Sequence, residues 1–141
     1  MNYLIPILTF ITPLLILYSL GKMSKQNLTW RINYKSHRIE IQDNFDFTVK
    51  PPTGGGKLLI DEREVQTWEL TLPLPTKPFV SIDEISEEIF SIKVYGAGAF
   101  SKKLSVEVNN EFIYQDKLNI FDKFLIKNPK LIEKVKKSSG L

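Results

Sequence analysis

Hydrophobic positions along the chain follow three regimes. From Tyr3 to Leu20 they are nearly continuous, reading YLIPILTFITPLLILYSL, and no charged side chain occurs before Lys22. As a helix, those roughly 21 uncharged residues span about 31 Å, one hydrocarbon core. Pro6 lies in the first turns, where a missing backbone donor matters little. Pro13 kinks the middle, which membrane helices tolerate, and Tyr3 and Tyr18 bracket the span as interfacial anchors. The pattern predicts a transmembrane anchor over residues 1–21. Lys22, Lys25 and Arg31 follow it, so the positive-inside rule places the N-terminus outside and the rest of the chain in the cytoplasm. Two other readings compete. Ser19-Leu20-Gly21 offers small residues for a signal peptidase, but the start has no Lys or Arg and the apolar run is long for a signal peptide. A buried core helix lacks the polar face it would need to meet water.

From Trp30 the period changes to two. Trp30, Ile32 and Tyr34 alternate with Arg31, Asn33 and Lys35; Ser36-His37 reads as a turn, and residues 38–42 alternate again. Phe45, Phe47 and Val49 extend the pattern to Pro51-Pro52, and Pro-Pro-Thr-Gly-Gly-Gly reads as a loop. Leu58-Leu59-Ile60 and a polar turn at residues 61–64 come next. Val65 begins a long segment with Trp68, Leu70, Leu72 and Leu74 on one side, and Pro73 and Pro75 demote its end to an edge. Phe79-Val80-Ser81-Ile82 is a further strand. Phe90, Ile92 and Val94 then face one way with Ser91, Lys93 and Tyr95 opposite, before a bend at residues 96–99. Leu104, Val106 and Val108 lead into a tight turn at Asn109-Asn110 and a last strand at Phe112-Ile113-Tyr114. The spacing predicts an all-β fold, an antiparallel β-sandwich of about seven or eight short strands over residues 30–118. A basic juxtamembrane linker, residues 22–29, precedes it. Trp68, Leu70, Val94, Leu104 and Val106 are the expected core.

The third regime, residues 119–141, mixes Phe121, Phe124, Leu125, Leu131, Ile132 and Val135 with lysines. It predicts a short basic amphipathic tail, with a helix opening at Pro129 behind an Asn128 cap.

Charge sharpens this division. The net +3 of the 141 residues hides three blocks: +5 over residues 22–38, −7 over residues 39–122 and +5 over residues 123–141. An acidic body is a poor match for nucleic acid, which needs positive charge on the folded surface. Basic flanks beside an apolar segment suit an anionic membrane, although lysines that merely keep the flanks solvated explain the C-terminal block as well. The absence of cysteine excludes disulfides, thiolate-bound metals and a thiol nucleophile, and the single histidine excludes multi-histidine sites.

Little else points to chemistry. Gly54-Gly55-Gly56-Lys57 resembles a phosphate loop but lacks the leading Gly (Pro51), the trailing Ser or Thr (Leu58) and a following helix. His37, with Arg38, Asp43 and Asp46 near it in sequence, is the only place for imidazole chemistry; a lone histidine in a turn is expected to be exposed and idle. The carboxylates at residues 61–64 and 83–88 read as solvated loop ends, without calcium-loop spacing. Trp30, Trp68, Tyr95 and Tyr114 are candidates for a binding groove, but an apolar stripe containing Trp68 fits core packing better.

A short hairpin at residues 38–43, a Gly-containing loop with a KLLID strand at 54–61, a Gly-interrupted strand at 91–99 and a VEVNNEFI hairpin at 106–113 follow one another. This order resembles small bacterial membrane-anchored β-domains, and more faintly the β-sandwich of Fas apoptotic inhibitory molecule. The loop at residues 51–56 and the prolines at 73–78 depart from that pattern. The resemblance implies an all-β fold and no catalytic residue.

The expectation is a single-pass membrane protein that presents a non-catalytic β-sandwich for protein or membrane-surface interaction. Lys22, Lys25, Lys127, Lys130, Lys134, Lys136 and Lys137 would face the membrane, and no cofactor, metal or small-molecule ligand is expected. The alternatives are a ligand-binding or enzymatic β-domain, and an exported domain released from a signal peptide.

Overall fold

The computed structural model describes residues 25–70, 76–97, 102–131, 134 and 137. The strands are β1 Lys25–Tyr34, β2 His37–Asp46, β3 Thr53–Ile60, β4 Arg63–Glu69, β5 Val80–Asp83, β6 Ser91–Ala97, β7 Lys103–Val108 and β8 Glu111–Gln115, and helix α1 is Ile120–Lys127. They make two four-stranded antiparallel meanders, β1-β2-β3-β4 and β5-β6-β7-β8. Residues 1–24, with the expected anchor, Lys22 and the start of the linker, lie outside the described residues, as do Leu72, Leu74, Gly98 and Lys136.

Two-residue connections set the hairpins. Ile60 pairs with Arg63 across Asp61 and Glu62, at φ 50° and 69°, and Val108 pairs with Glu111 across Asn109 and Asn110, at φ 53° and 64°. Positive φ at both central residues gives the turn whose twist matches its strands, and Asp and Asn adopt that geometry more readily than bulkier residues. In the first hairpin Tyr34 pairs with His37, so the turn is Lys35-Ser36. The expected turn at Ser36-His37 is therefore one residue late, and His37 belongs to β2.

The alternation builds one core between the sheets. Ile32, Ile39, Ile41, Leu58 and Ile60 of the first sheet pack with Val80, Ile92, Val94, Leu104, Val106 and Val108 of the second, together with Ile89. Fully burying such a side chain stabilises by roughly 1.5–3 kcal/mol. Val94, Leu104 and Val106 are buried as expected, whereas Trp68 and Leu70 are only partly buried.

Four local readings change. The strand β1 starts at Lys25, so residues 25–29, read as linker, are already paired with β2. The three glycines lie inside β3 rather than in a loop. Gly56 pairs with Trp68, and a Cβ there would stand 2.5 Å from Trp68 Cζ2 and 2.4 Å from the Gln42 carbonyl oxygen. At Gly56 the indole of Trp68 lies across the backbone, whereas a Cβ at Gly54 or Gly55 would meet the Asn44 or Trp68 carbonyl oxygen at 2.4 Å. On β4, Gln66 opposes Leu58 and Glu64 opposes Leu59, which leaves Val65 as a bulge and 36% exposed. Finally, Phe90 points outward while Ile89 is fully buried, because a tight turn from Ser86 to Ile89 breaks the alternation before β6 begins.

Helix α1 has a reciprocal cap. Asn119 Oδ1 accepts from the Asp122 amide at 2.8 Å, and Asp122 Oδ2 accepts from the Asn119 amide at 2.9 Å. Residues 129–131 are helical after a break at Asn128. The Asn128 side-chain amide, however, donates back to the Phe124 carbonyl at 2.9 Å, closing the end of α1.

Candidate functional site

The strand order gives the body two unlike ends. Lys25 pairs with Asp46 and Asp46 with Thr53, so β1 enters at the end that carries the β2–β3 loop. The contact of Lys102 with Asp43 and the edge-on packing of Phe79 on Trp68, 5.3 Å between centroids, align the second sheet with that end. There Ala97 pairs with Lys103 and Ser105 with Gln115, so β8 leaves at the end where β1 enters. We call this the near end. The far end holds the turns 35–36, 61–62 and 109–110 and the β5–β6 loop.

The five expected membrane-facing lysines that are described all belong to the near end or the tail leaving it. Lys25 opens β1 with its side chain 69% exposed and 3.7 Å from Asp46. Lys127 ends α1, and Lys130, Lys134 and Lys137 are exposed beyond it. With Lys123 they alternate four- and three-residue spacings in the sequence, but the helix breaks at Asn128, between Lys127 and Lys130. Ile120 and Phe124, one turn apart on α1, are 84% and 42% exposed. The acids gather elsewhere: Asp61, Glu62, Asp83, Glu84, Glu87 and Glu88 lie on or beside the far-end connections, against Lys35, Arg38 and Arg63.

Polar groups inside the near end pair with one another. Asp43 stands where the β2 alternation calls for an apolar residue and is 5% exposed. It accepts from Lys102 Nζ and, at 3.4 Å, from Trp68 Nε1; Lys102 also lies 5.1 Å from the Phe79 ring centroid. Asp116 ties the other side. Its Oδ2 accepts from Trp30 Nε1 at 3.0 Å and from the Leu104 amide at 2.8 Å, and its Oδ1 accepts from Tyr114 Oη at 2.6 Å. That bond, with burial and the Asp116 charge, pushes the Tyr114 phenol up to about 12. Among the described residues no buried side-chain nitrogen or oxygen lacks a partner.

At the far end His37 is partly buried and paired, and it does not meet Asp43 or Asp46. Its Nδ1 lies 2.7 Å from Asp61 Oδ2 and its Nε2 2.8 Å from Glu88 Oε2. Hydrogen bonding to Asp61, reinforced by the charges of both carboxylates, raises its pKa above the ordinary 6.5 against a smaller opposing effect of burial. Asp61 is lowered, first by the Arg38 amide and then by His37. Asn109 supports the same corner, donating from Nδ2 to Tyr34 Oη at 3.2 Å and accepting at Oδ1 from the Phe90 amide at 2.9 Å.

The aromatic candidates do not share a groove. Trp30 and Tyr114 meet through Asp116, Trp68 covers Gly56 on another strand edge, and Tyr95 packs on Phe112 at 5.7 Å outside the second sheet. A depression of about 200 Å³ is lined by Arg38, Glu40, Leu59 and Glu62, but Arg38 and Glu40 already bond each other at 3.3 Å. Among the described residues no cluster of three His, Cys, Asp or Glu side chains can hold a metal ion, and no helix is long and apolar enough to cross a membrane. Comparison with family models, with curated proteins and with solved structures found no match to this chain.

Proposed function

We propose that this is a single-pass membrane protein whose non-catalytic β-sandwich stands on the cytoplasmic face of the bilayer, near end toward lipid and far end toward a protein partner. The observation that carries the reading is that β1 enters and β8 leaves at the same end of the body. Only residues 22–24 separate the apolar segment from β1, a reach of roughly 10 Å. The near end is thus tethered among the headgroups. The tail starts there too, bringing exposed lysines and the apolar pair Ile120 and Phe124 within reach of the interface. Each lysine contributes about 1 kcal/mol at an anionic surface, within a Debye length of about 8 Å. The acids of the far end lie about 30 Å away, several Debye lengths, and meet the repulsive field only when the body tips toward the surface. A non-catalytic role is favoured because the polar groups pair with one another rather than converging on an open cavity.

Photo-crosslinking residues placed in the full chain test this in native membranes. A probe at Phe124 should capture lipid, and one at Glu62 or Phe90 should capture protein. Release of the chain by alkaline carbonate, or protein capture at Phe124 without lipid, would overturn it.

A further inference from the structure

At the far end one imidazole bridges the two sheets, beside the Asn109–Tyr34 bond. His37 opens β2, Asp61 lies in the β3–β4 turn of the same sheet, and Glu88 lies in the β5–β6 loop of the other. The two ring nitrogens face the two carboxylates at 2.7 and 2.8 Å. A neutral imidazole has one N–H and one lone pair, so in this position the lone pair would point at a carboxylate. Only the imidazolium donates to both. We propose that His37 is a proton-operated clasp that holds the β5–β6 loop against the first sheet when protonated and lets it go when neutral.

The partners differ in how else they are held. Asp61 is fixed to β2 by two backbone bonds: its Oδ1 accepts from the Arg38 amide at 2.9 Å, and its own amide donates to the Arg38 carbonyl at 2.9 Å. Among the described residues, the Glu88 carboxylate bonds apart from His37 to the Ser36 hydroxyl alone, at 3.1 Å. Loss of the proton therefore leaves the His37–Asp61 bond in place and frees the Glu88 carboxylate, while the Glu88 carbonyl stays bonded to Asn109 Nδ2 at 2.8 Å. Asp61 and Glu88 favour the imidazolium, and Arg63 on β4 acts on Asp61. Release stays local. Ile89 remains in the core, and Asn109 still holds Tyr34 and the Phe90 amide. What loosens is the outer part of the loop beside Phe90, whose ring is 51% exposed. As a control on partner binding, the clasp rests on the reading of this end as partner-facing; as a link between sheets it does not.

His37 is the only histidine, so imidazole nitrogen resonances of the full chain in phosphatidylcholine–phosphatidylserine nanodiscs report it alone. Its titration midpoint should lie above 6.5 and fall toward that value in Glu88→Gln. Hydrogen exchange of the amides of residues 86–88, corrected for intrinsic base catalysis, should rise several-fold across that midpoint, while the Ile89 and Phe90 amides stay protected. The step should vanish in Glu88→Gln and in His37→Gln, with β7 amides unchanged. Glu88 is half exposed, so its variant isolates the contact even if other changes unfold the chain. A midpoint at or below 6.5, or loop exchange without a step, overturns the clasp. Protein crosslinking from Phe90 at about pH 6 and about pH 8.5 reads the partner separately. Equal yields would remove the control on binding and leave the clasp standing, whereas no protein capture at either pH would instead defeat the proposed function.

Discussion

At the near end Lys102 meets Asp43 with their side chains 8% and 4% exposed, whereas at the far end His37 meets Asp61 and Glu88 with side chains 21%, 48% and 47% exposed. Both contacts join charged groups from different parts of the chain, and both help align one sheet on the other. Water separates them. The near-end charges have given up their hydration, so each depends on its partner. The far-end charges keep much of theirs and are screened, so their pairing is weak but can be altered by a proton. One end is built to stay shut, in the region proposed to face lipid, and the other to respond.

The largest expected effect tests that dependence. Asp43→Ala or Lys102→Ala leaves a buried charge alone and should destabilise the full chain by about 3–5 kcal/mol in denaturant unfolding. Replacing both together by Asn and Met should cost much less than the sum. A loss below about 1 kcal/mol in either single variant would show that water reaches the pair, and the contrast between the ends would collapse.

Two smaller effects sharpen the near end. Gly56→Ala puts a methyl group into the Gln42 carbonyl and the Trp68 ring, and should cost about 1–3 kcal/mol as an overpacked site. Asp116→Asn exchanges an acceptor for a donor against Trp30, Leu104 or Tyr114, costing about 1–3 kcal/mol. Ultraviolet titration should then show the Tyr114 phenol falling from about 12 toward 10. An unchanged titration would remove Asp116 as the cause.

How much of this was legible in the chain follows from what each residue answers to. Ile39, Ile41, Val94, Leu104 and Val106 answer to the alternation, a local signal, and it placed them correctly. Asp43 was legible in the same way: it sits in the inward phase of β2, and an acid there calls for a partner. Lys102 as that partner was not, because only the packing of the sheets brings the two together. The glycines of β3 read as a loop because their reasons, the Trp68 indole at Gly56 and neighbouring backbone at Gly54 and Gly55, lie on the adjacent strands. The bulge at Val65 hides in a pattern that reads as unbroken. Asn119 and Asp122 carry a local capping signal, which competes with the one at Asn128-Pro129 and sets the start of α1. The His37 contacts were out of reach, since a one-residue error in the turn moved it out of β2 and Glu88 arrives from the other sheet.

The smallest expected effect is the pH dependence of stability at the far end, and its sign is fixed by the direction of the shifts. His37 has a raised pKa in the folded chain, so the fold binds the proton more tightly than the unfolded chain does. Its contribution is complete below the unfolded value of 6.5 and is lost as pH rises through the higher folded value. Asp61 runs the other way: lowered in the fold, it contributes above 3.8 and fails as pH falls through its folded value. The far-end pairing therefore holds between those limits. Thermal unfolding of the full chain should show Tm falling modestly between about pH 6 and about pH 8.5. His37→Gln should flatten that slope and Glu88→Gln reduce it, while a joint change at Asp43 and Lys102 should leave the slope intact. If His37→Gln keeps the wild-type slope, the titrating group lies elsewhere, and the clasp does not set the proton dependence of the far end.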